Sequence, residues 1–170
     1  MEYIGYGKYT RAREIVEFCK NMGYKKMGIA FCIGLNREAG IYAKFVRKNL
    51  LEAVSICCKN GGINKEDLGI DKEFYVNGEN FEASCNPIAQ AHFLNSQKTD
   101  FNVLIGLCVG HDSLFFKYSE APCTVLVAKD RVLAHNPAGA LYCRNSYYPN
   151  LWIRMYLLVK FDMIQGSQMF

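Results

Sequence analysis

Two short apolar runs, separated by one helix-length segment, constrain the fold of this chain more than any other feature of its sequence. The runs are Phe101–Leu107 and Thr124–Ala128, which are rich in aliphatic residues and too short for helices of ordinary length. Between them, His111–Tyr118 follows a glycine and precedes a proline, as a short helix would. A strand, a glycine turn, a helix and a second strand make a βαβ unit. Continuous apolar strands predict a parallel sheet that is covered on both faces.

The same alternation of helix and strand precedes this unit. Apolar spacing predicts helices at 8–22, 36–48 and 87–96 and strands at 27–33 and 53–58. Residues 63–84 are predicted to be mostly loop, and residues 131–134 to be extended before a short helix that begins near 135–137. The order predicts the α/β class: a three-layer, doubly wound, mostly parallel sheet of the Rossmann or flavodoxin type, with about four to five strands. Right-handed crossovers make 2-1-3-4 the simplest strand order.

Length and charge limit the function classes. We expect residues 1–148 to form a single α/β domain and residues 149–170 to form a divergent C-terminal tail. The net charge of +4 is scattered rather than concentrated in a basic run, so we expect no nucleic-acid partner. The most apolar stretch, Leu151–Val159, is too short to cross a bilayer and is interrupted by Arg154, so we expect no membrane partner either.

Cysteine is abundant, with eight residues in the chain. The sequence runs from Met1 directly into polar residues, without the apolar region of a signal peptide. We therefore expect a cytoplasmic protein whose thiols are reduced and available to pack, to bind metal or to react.

The turn after the strand predicted at Phe101–Leu107 combines a thiol, an imidazole and a carboxylate, those of Cys108, His111 and Asp112. In open α/β sheets, ligands bind at this end of the strands. A Cys-x-x-His pair can bind zinc or another borderline metal, and the first turn of a helix can stabilise a thiolate. The alternative is that Cys108 packs at the strand end and His111 caps the helix.

Cys85 directly precedes Asn86-Pro87, a strong helix start. A thiol near unpaired N–H groups can have a lowered pKa and act as a nucleophile. A partly buried loop cysteine explains the position equally well. Gln90, one turn into this helix, can point back toward the same crevice.

Two further thiols end predicted strands. Neighbouring side chains of a strand face opposite ways, so one of Cys57 and Cys58 is expected to pack while the other, Cys58, faces the site. Cys32 can join from the first strand, although a buried core thiol is the simpler interpretation. The remaining cysteines are interpreted as packing residues: Cys19, Cys123 and Cys143.

A polar cluster follows the last predicted strand. Lys129 and Asp130 end that strand, and His135 and Asn136 precede a proline that starts a helix. These residues, with Asn36 at an earlier helix start, are candidates for binding a cofactor or a small anionic ligand. A salt bridge together with a helix cap is the structural alternative.

Several long strings closely resemble an uncharacterised prokaryotic family, the domain of unknown function 1847. They are SCNPIAQAHFLNSQKTDFNVLIGLCVGHDSLFFKYSEAPCTVLVAKDRVLAHNPAGALY, AFCIGLNREA and VSICCKNGGI, and the likeness covers residues 8 to 148. Members are often labelled metal-binding proteins, which is what the resemblance implies here. They usually begin with an additional cysteine-rich segment, which this sequence lacks. The tail after Tyr148 is also unlike the family.

The leading hypothesis is therefore a metal or redox-active thiol site at the carboxyl ends of the strands. The predicted metal is zinc or iron, and the predicted ligands are Cys58, Cys85, Cys108 and His111. The predicted catalytic residues are Cys85, Cys108, His111 and Asp112. The alternatives are an enzyme that acts on a small anionic metabolite through Lys129, Asp130 and His135, and a structural or interaction domain in which the thiols only fill the core.

Overall fold

Four parallel strands form the centre of the part of the chain that the computed structural model describes, which is residues 2–76, 78 and 80–149. The strands and helices of that part, in chain order, are α1 (Glu2–Gly5), α2 (Arg11–Asn21), β1 (Lys26–Phe31), α3 (Asn36–Lys48), β2 (Glu52–Cys57), α4 (Pro87–Ser96), β3 (Phe101–Ile105), α5 (His111–Tyr118), β4 (Cys123–Val127) and α6 (Ala138–Tyr142). The predicted tail lies outside the described residues, apart from Pro149.

The sheet confirms the predicted class and the predicted strand order. The strands are hydrogen-bonded in the order β2-β1-β3-β4, and every pair is parallel. In the register, Met27 of β1 is paired with Ala53 on one side and with Phe101 on the other. The direction in which the chain leaves the sheet reverses between β1 and β3. This reversal leaves a crevice at their carboxyl ends.

Burial explains why these segments form central strands. Every residue of β3 is buried, and β1 is buried except at its two ends. Such strands need a helix layer on each face, and right-handed crossovers place α3 and α4 on opposite faces. None of the helices in the described part of the chain is both long enough and apolar enough to cross a bilayer.

The predicted start of a helix agrees with the structure where a side chain makes the N-terminal capping hydrogen bond. Helix α4 has the predicted bounds, because Asn86 Oδ1 accepts a hydrogen bond from Ala89 N at 2.9 Å and Pro87 occupies the first turn. Helix α5 also has the predicted bounds. Asn36 does not cap α3: it is the first residue of that helix, and Leu35 occupies the cap position without a side-chain hydrogen bond.

Strands β1 and β3 end two residues earlier than the apolar pattern predicted. After β3, Gly106 has φ +63°, and a Cβ on this residue would overlap with the side chain of Leu35. After β1, residues 33–35 form a 3₁₀ turn. The apolar pattern continues past both strands because Ile33 and Leu107 lie in these turns. Cys32 still donates its backbone N–H to the carbonyl of Ile105 at the end of β3, at 3.0 Å, whereas Cys108 lies beyond the glycine turn.

The segment after β4 corrects another prediction. Residues 131–135 form turns rather than an extended piece. Ala134 and His135 both have left-handed backbone conformations, with φ +50° and +64°. The short helix predicted after this segment is present as α6. Between residues 63 and 84, the described residues form the predicted loop, with two 3₁₀ turns among them, at 66–68 and 72–74.

Candidate thiol site

Four cysteines from separate parts of the chain lie at the carboxyl edge of the sheet. Cys32 and Cys58 directly follow β1 and β2, Cys108 follows the glycine turn after β3, and Cys85 precedes α4. We call these four residues the thiol cluster. All four are free cysteines. They come together because parallel strands all end at the same edge, which was the basis of the prediction.

The cluster is connected by short contacts between side chains. Cys58 Sγ and Cys85 Sγ are 3.6 Å apart, within hydrogen-bonding distance for sulfur. Cys32 in turn lies close enough to Cys58 for each thiol to shift the pKa of the other. Lys129 Nζ donates to Cys32 Sγ at 2.7 Å and to Cys108 Sγ at 3.4 Å. One ammonium group therefore joins thiols that follow β1 and β3, although Lys129 itself follows β4.

Backbone hydrogen bonds hold the closest pair of thiols in place. The backbone N–H of Asn86, next to Cys85, donates to the carbonyl of Cys58 at 2.8 Å. Asn60 Nδ2 donates to the carbonyls of Cys57 and Asn86 at 3.0 and 3.1 Å. These bonds tie the end of β2 to the start of α4. The distance between Cys58 and Cys85 is thus set by the backbone of both elements.

Gln90 supports the same edge from inside helix α4. Its side chain is fully buried, and Nε2 donates to the carbonyls of Ile56 and Phe31 at 2.9 and 3.2 Å. These carbonyls lie at the ends of β2 and β1, so the amide bridges the two strands. The structure thereby directs Gln90 toward the strand ends, as the sequence suggested.

The thiols differ in exposure and in pKa. The hydrogen bond with Cys58 lowers the pKa of Cys85 to about 7, with a smaller contribution from the positive charge of Lys59. The hydrogen bond with Cys58 and burial raise the pKa of Cys32 to about 12. The pKa of Cys58 is raised to about 11. The hydrogen bond of Cys58 with Cys32 lowers this pKa, but its hydrogen bond with Cys85 and its burial together raise the pKa by more.

Among Cys32, Cys58 and Cys85, ionisation therefore begins at Cys85. This residue is half-buried, whereas Cys32 and Cys58 are 4% and 2% exposed. At neutral pH Cys32 and Cys58 keep their protons, and Cys58 can donate an S–H hydrogen bond to the Cys85 thiolate. Burial lowers the pKa of Lys129, but its contacts with Cys32 and Cys108 outweigh burial and raise that pKa, so its ammonium group stays charged.

His111 and Asp112 shape the turn after β3. Asp112 Oδ1 accepts hydrogen bonds from Gly110 N at 3.1 Å and from Ser113 N at 2.8 Å. The backbone N–H of His111 donates to the carbonyl of Cys108 at 2.9 Å. Among the described residues, neither side chain hydrogen-bonds to a thiol of the cluster. Catalytic or metal-binding roles for these two residues stay predictions.

The predicted metal ligands are not arranged as a coordination sphere. Within residues 2–76, 78 and 80–149, no three Cys, His, Asp or Glu side chains are grouped closely enough to hold a metal ion. Thiols are suitable donors for zinc and iron. However, the ammonium group of Lys129 contacts the sulfurs of Cys32 and Cys108. A metal ion bound by these sulfurs would therefore lie close to the positive charge of Lys129. The donor chemistry fits a metal ion, whereas the arrangement does not.

The other cysteines lie apart from the cluster. Cys57 faces away from Cys58, as alternation along a strand predicted, and its sulfur accepts a hydrogen bond from Lys59 N at 3.5 Å. Cys19 is buried in the core, and burial raises its pKa to about 11. Cys123 and Cys143 are half-buried.

The polar residues after β4 are divided between a turn and a pocket. Asp130 Oδ1 accepts hydrogen bonds from the backbone N–H groups of Val132 and Leu133, so this carboxylate serves the turn. Within the described chain, Asp130 makes no salt bridge with Lys129. Asn36 and Asn136 are exposed at or just before helix starts. Their predicted binding roles stay predictions.

A pocket of about 230 Å³ adjoins the thiol cluster. It is lined by Gly34, Leu35, Lys129, Arg131 and His135. Sequence reasoning selected Lys129 and His135 but missed Arg131, which it placed in an extended piece. It also did not find the contact between Lys129 and Cys32, since these residues are separated by 97 positions and by one intervening strand. No local spacing signals that contact.

Comparisons with known proteins found a matching family model and a similar protein. A family model described as DUF1847, protein of unknown function, matches residues 1–126. An uncharacterised protein of Methanocaldococcus jannaschii is 54% identical over 143 residues, which are 84% of this chain and 71% of that protein.

One solved structure, Dph2 from Pyrococcus horikoshii, matches 78% of this chain with a TM-score of 0.42 and 19% identity. The match spans only 30% of the Dph2 chain. A similarity of this size does not support a shared function.

Proposed function

This chain belongs to the DUF1847 family of proteins of unknown function, and we propose that it is a thiol–disulfide redox protein. In this proposal Cys85 is the nucleophile and Cys58 is the second cysteine of a reversible disulfide. The family assignment confirms the resemblance seen in the sequence, and the proposal itself depends on the geometry of the thiol cluster.

The observation that carries the proposal is the 3.6 Å distance between Cys58 Sγ and Cys85 Sγ. A disulfide requires an S–S distance of about 2.05 Å, so the two sulfurs must approach by about 1.5 Å. Both residues adjoin loop or turn segments, Cys58 after β2 and Cys85 before α4. By contrast, Cys57 lies on the other side of the same strand end.

The differences within the pair assign the two roles. Cys85 is half-buried and its pKa is lowered to about 7, so a large fraction of it is thiolate at neutral pH. Cys58 is buried and its pKa is raised to about 11. A small molecule therefore meets Cys85 first, and Cys58 reacts only with a sulfur already bound to its neighbour.

The proposed reaction is exchange with a low-molecular-weight disulfide, R–S–S–R′. The Cys85 thiolate attacks one sulfur, which forms a Cys85–S–S–R bond and releases R′–S⁻, and this takes a proton from water. Cys58 then loses its proton and attacks Cys85 Sγ, so that a Cys58–Cys85 disulfide forms and R–S⁻ leaves. Two protein thiols are oxidised and one disulfide is reduced to two thiols. The reverse sequence reduces the protein.

Disulfide mapping tests this proposal. The reduced chain is treated with bis(2-hydroxyethyl) disulfide, digested under acid conditions and analysed by mass spectrometry. We expect a Cys58–Cys85 disulfide in the wild-type chain and in the Cys57→Ser control. In Cys58→Ser we expect the mixed disulfide with the reagent to persist on Cys85. Random pairing, or a wild-type protein that stays fully reduced, would show that the proposal is wrong.

Metal binding is the second candidate, because four cysteines lie at one edge of the sheet and thiols are suitable donors for zinc and iron, although no three of these side chains are grouped as metal ligands in the described residues. Zinc or iron held there would require Lys129 to withdraw from Cys32 and Cys108. Metal analysis of protein purified without a histidine tag tests this candidate. Near-stoichiometric zinc or iron that is lost in Cys58→Ser and retained in Cys57→Ser would support it, and a metal-free chain would count against it.

A further inference from the structure

The pocket beside the thiol cluster has a positive lining that no described carboxylate neutralises. Lys129 and Arg131 line it together with His135. In the described ranges, neither Lys129 nor Arg131 forms a salt bridge. Asp130, which lies between them in the sequence, accepts hydrogen bonds from backbone N–H groups of the turn instead. A volume of about 230 Å³ can hold an anionic group with a few attached atoms.

The backbone of the turn determines which ring nitrogen of His135 accepts a hydrogen bond. His135 Nδ1 accepts a hydrogen bond from Asp130 N at 3.1 Å, and His135 N donates to the carbonyl of Asp130 at 2.7 Å. In a neutral ring the proton is therefore on Nε2, which can donate to a ligand. The consecutive left-handed conformations of Ala134 and His135 fold the chain back to make these contacts. Non-glycine residues rarely adopt such conformations.

We infer that this pocket binds an oxyanion group, a phosphate or a carboxylate, of a small molecule. Arg131 supplies a planar set of N–H donors, Lys129 an ammonium group and His135 the Nε2–H donor. The pocket and the thiol cluster share Lys129, whose Nζ lies 2.7 Å from Cys32 Sγ. An anion bound here therefore lies on the side of the thiol cluster formed by Cys32 and Cys108, which Lys129 contacts.

The location of the pocket also assigns a substrate class, and this part rests on the proposed redox function. A disulfide substrate that carries a phosphate or a carboxylate can bind its acid group in the pocket while its sulfur is presented to the cluster. The pocket orients such a substrate relative to the thiols, which favours its reaction over that of an uncharged disulfide.

Titration calorimetry of the full chain with inorganic phosphate and with acetate, at constant ionic strength, tests the pocket. We expect saturable binding of at least one anion, weakened roughly tenfold or more in Arg131→Gln. Lys44→Gln is the control, because it removes an exposed positive charge from helix α3 and should bind as wild type. Tighter binding of phosphate would indicate a phosphorylated ligand, and tighter binding of acetate a carboxylate. Absence of binding, or equal affinities of Arg131→Gln and wild type, would overturn the inference.

Two further measurements separate this inference from the proposed function. Cys85→Ser removes the nucleophile, and we expect it to bind the anion as wild type does, so anion binding is measured without redox activity. In the wild-type chain we expect dithiodiglycolate to oxidise Cys85 at least about tenfold faster than bis(2-hydroxyethyl) disulfide, with the preference lost in Arg131→Gln. Equal rates with both disulfides would overturn the substrate class and leave the disulfide proposal standing.

Discussion

At the scale of single residues, the decisive property is that equivalent side chains have different ionisation states. Cys32, Cys58 and Cys85 are all thiols at one edge of the sheet, but only Cys85 has a lowered pKa. The cause is local, because Cys85 has an S–H donor and partial exposure while the others are buried. Of these three thiols, Cys85 is therefore the one suited to act as the nucleophile.

The first prediction concerns the pH dependence of this nucleophile. The rate of alkylation of Cys85 by iodoacetamide should rise with pH through a midpoint of about 7 and then level off. Cys58→Ala removes the hydrogen bond that stabilises the thiolate, so the midpoint should rise toward 9.0, the ordinary value. Rates are measured by peptide mass spectrometry over a pH series. Cys57→Ala should leave the midpoint unchanged, and an equal shift in both variants would contradict the assignment.

At the scale of elements, the start of α4 connects helix stability to the position of Cys85. The capping side chain of Asn86 follows Cys85 directly, and the backbone of Asn86 is bonded to Cys58. Loss of the cap thus loosens the segment that carries the nucleophile. Helix α2 offers a contrast, since Thr10 occupies its cap position without a side-chain hydrogen bond.

The second prediction follows from this contrast. Asn86→Ala should lower the free energy of unfolding by about 1 kcal/mol, because the N–H of Ala89 loses its acceptor. Thr10→Ala should cause a smaller decrease, because no capping bond is lost. Urea denaturation of both variants under reducing conditions gives the comparison. Equal losses in the two variants would mean that the Asn86 cap does not stabilise α4.

At the scale of the whole molecule, the thiols couple the redox state and pH to folding. Cys58 and Cys85 are 27 residues apart, and the described part of the intervening loop has little regular structure. A disulfide between them would restrict this loop in the unfolded chain. Oxidation should therefore change the free energy of unfolding of the protein as well as its covalent structure.

The third prediction is a gain in stability on oxidation. Closing a loop of this length should raise the free energy of unfolding by up to about 3.6 kcal/mol, as the chain-entropy relation gives. Denaturant midpoints are compared with and without reductant. The midpoint of Cys58→Ser should be independent of reductant, whereas that of Cys57→Ser should increase on oxidation as in wild type.

The fourth prediction concerns stability against pH in the reduced protein. The folded pKa of Cys85 is lowered to about 7 from 9.0, so this residue adds stability as pH rises between these values. Cys19, Cys32 and Cys58 have raised pKa values of about 11 to 12, so they remove stability above pH 9.0, where their unfolded forms lose protons. Stability should therefore pass through a maximum near pH 9. Cys85→Ser should lose the rise between pH 7 and pH 9, and an unchanged rise would contradict the low pKa.

Much of the architecture could be predicted because it depends on local patterns. The bounds of α4 and α5 follow from a proline, an asparagine and a glycine at their starts, and the strand order follows from the alternation of helices and strands. Strand ends were less predictable. Apolar residues such as Ile33 and Leu107 continue the pattern into turns, and periodicity does not distinguish a strand residue from a buried turn residue.

The sequence by itself determined that several thiols end their strands, and therefore that they lie at one edge of the sheet. Only the tertiary structure decided which of them touch. The pairing of Cys58 with Cys85, the contact of Lys129 with Cys32, and the joining of Arg131 with His135 in one pocket depend on register, on side-chain direction and on two left-handed residues in a turn. These distances are set by packing between elements far apart in the chain, and residue spacing along the chain carries no measure of them.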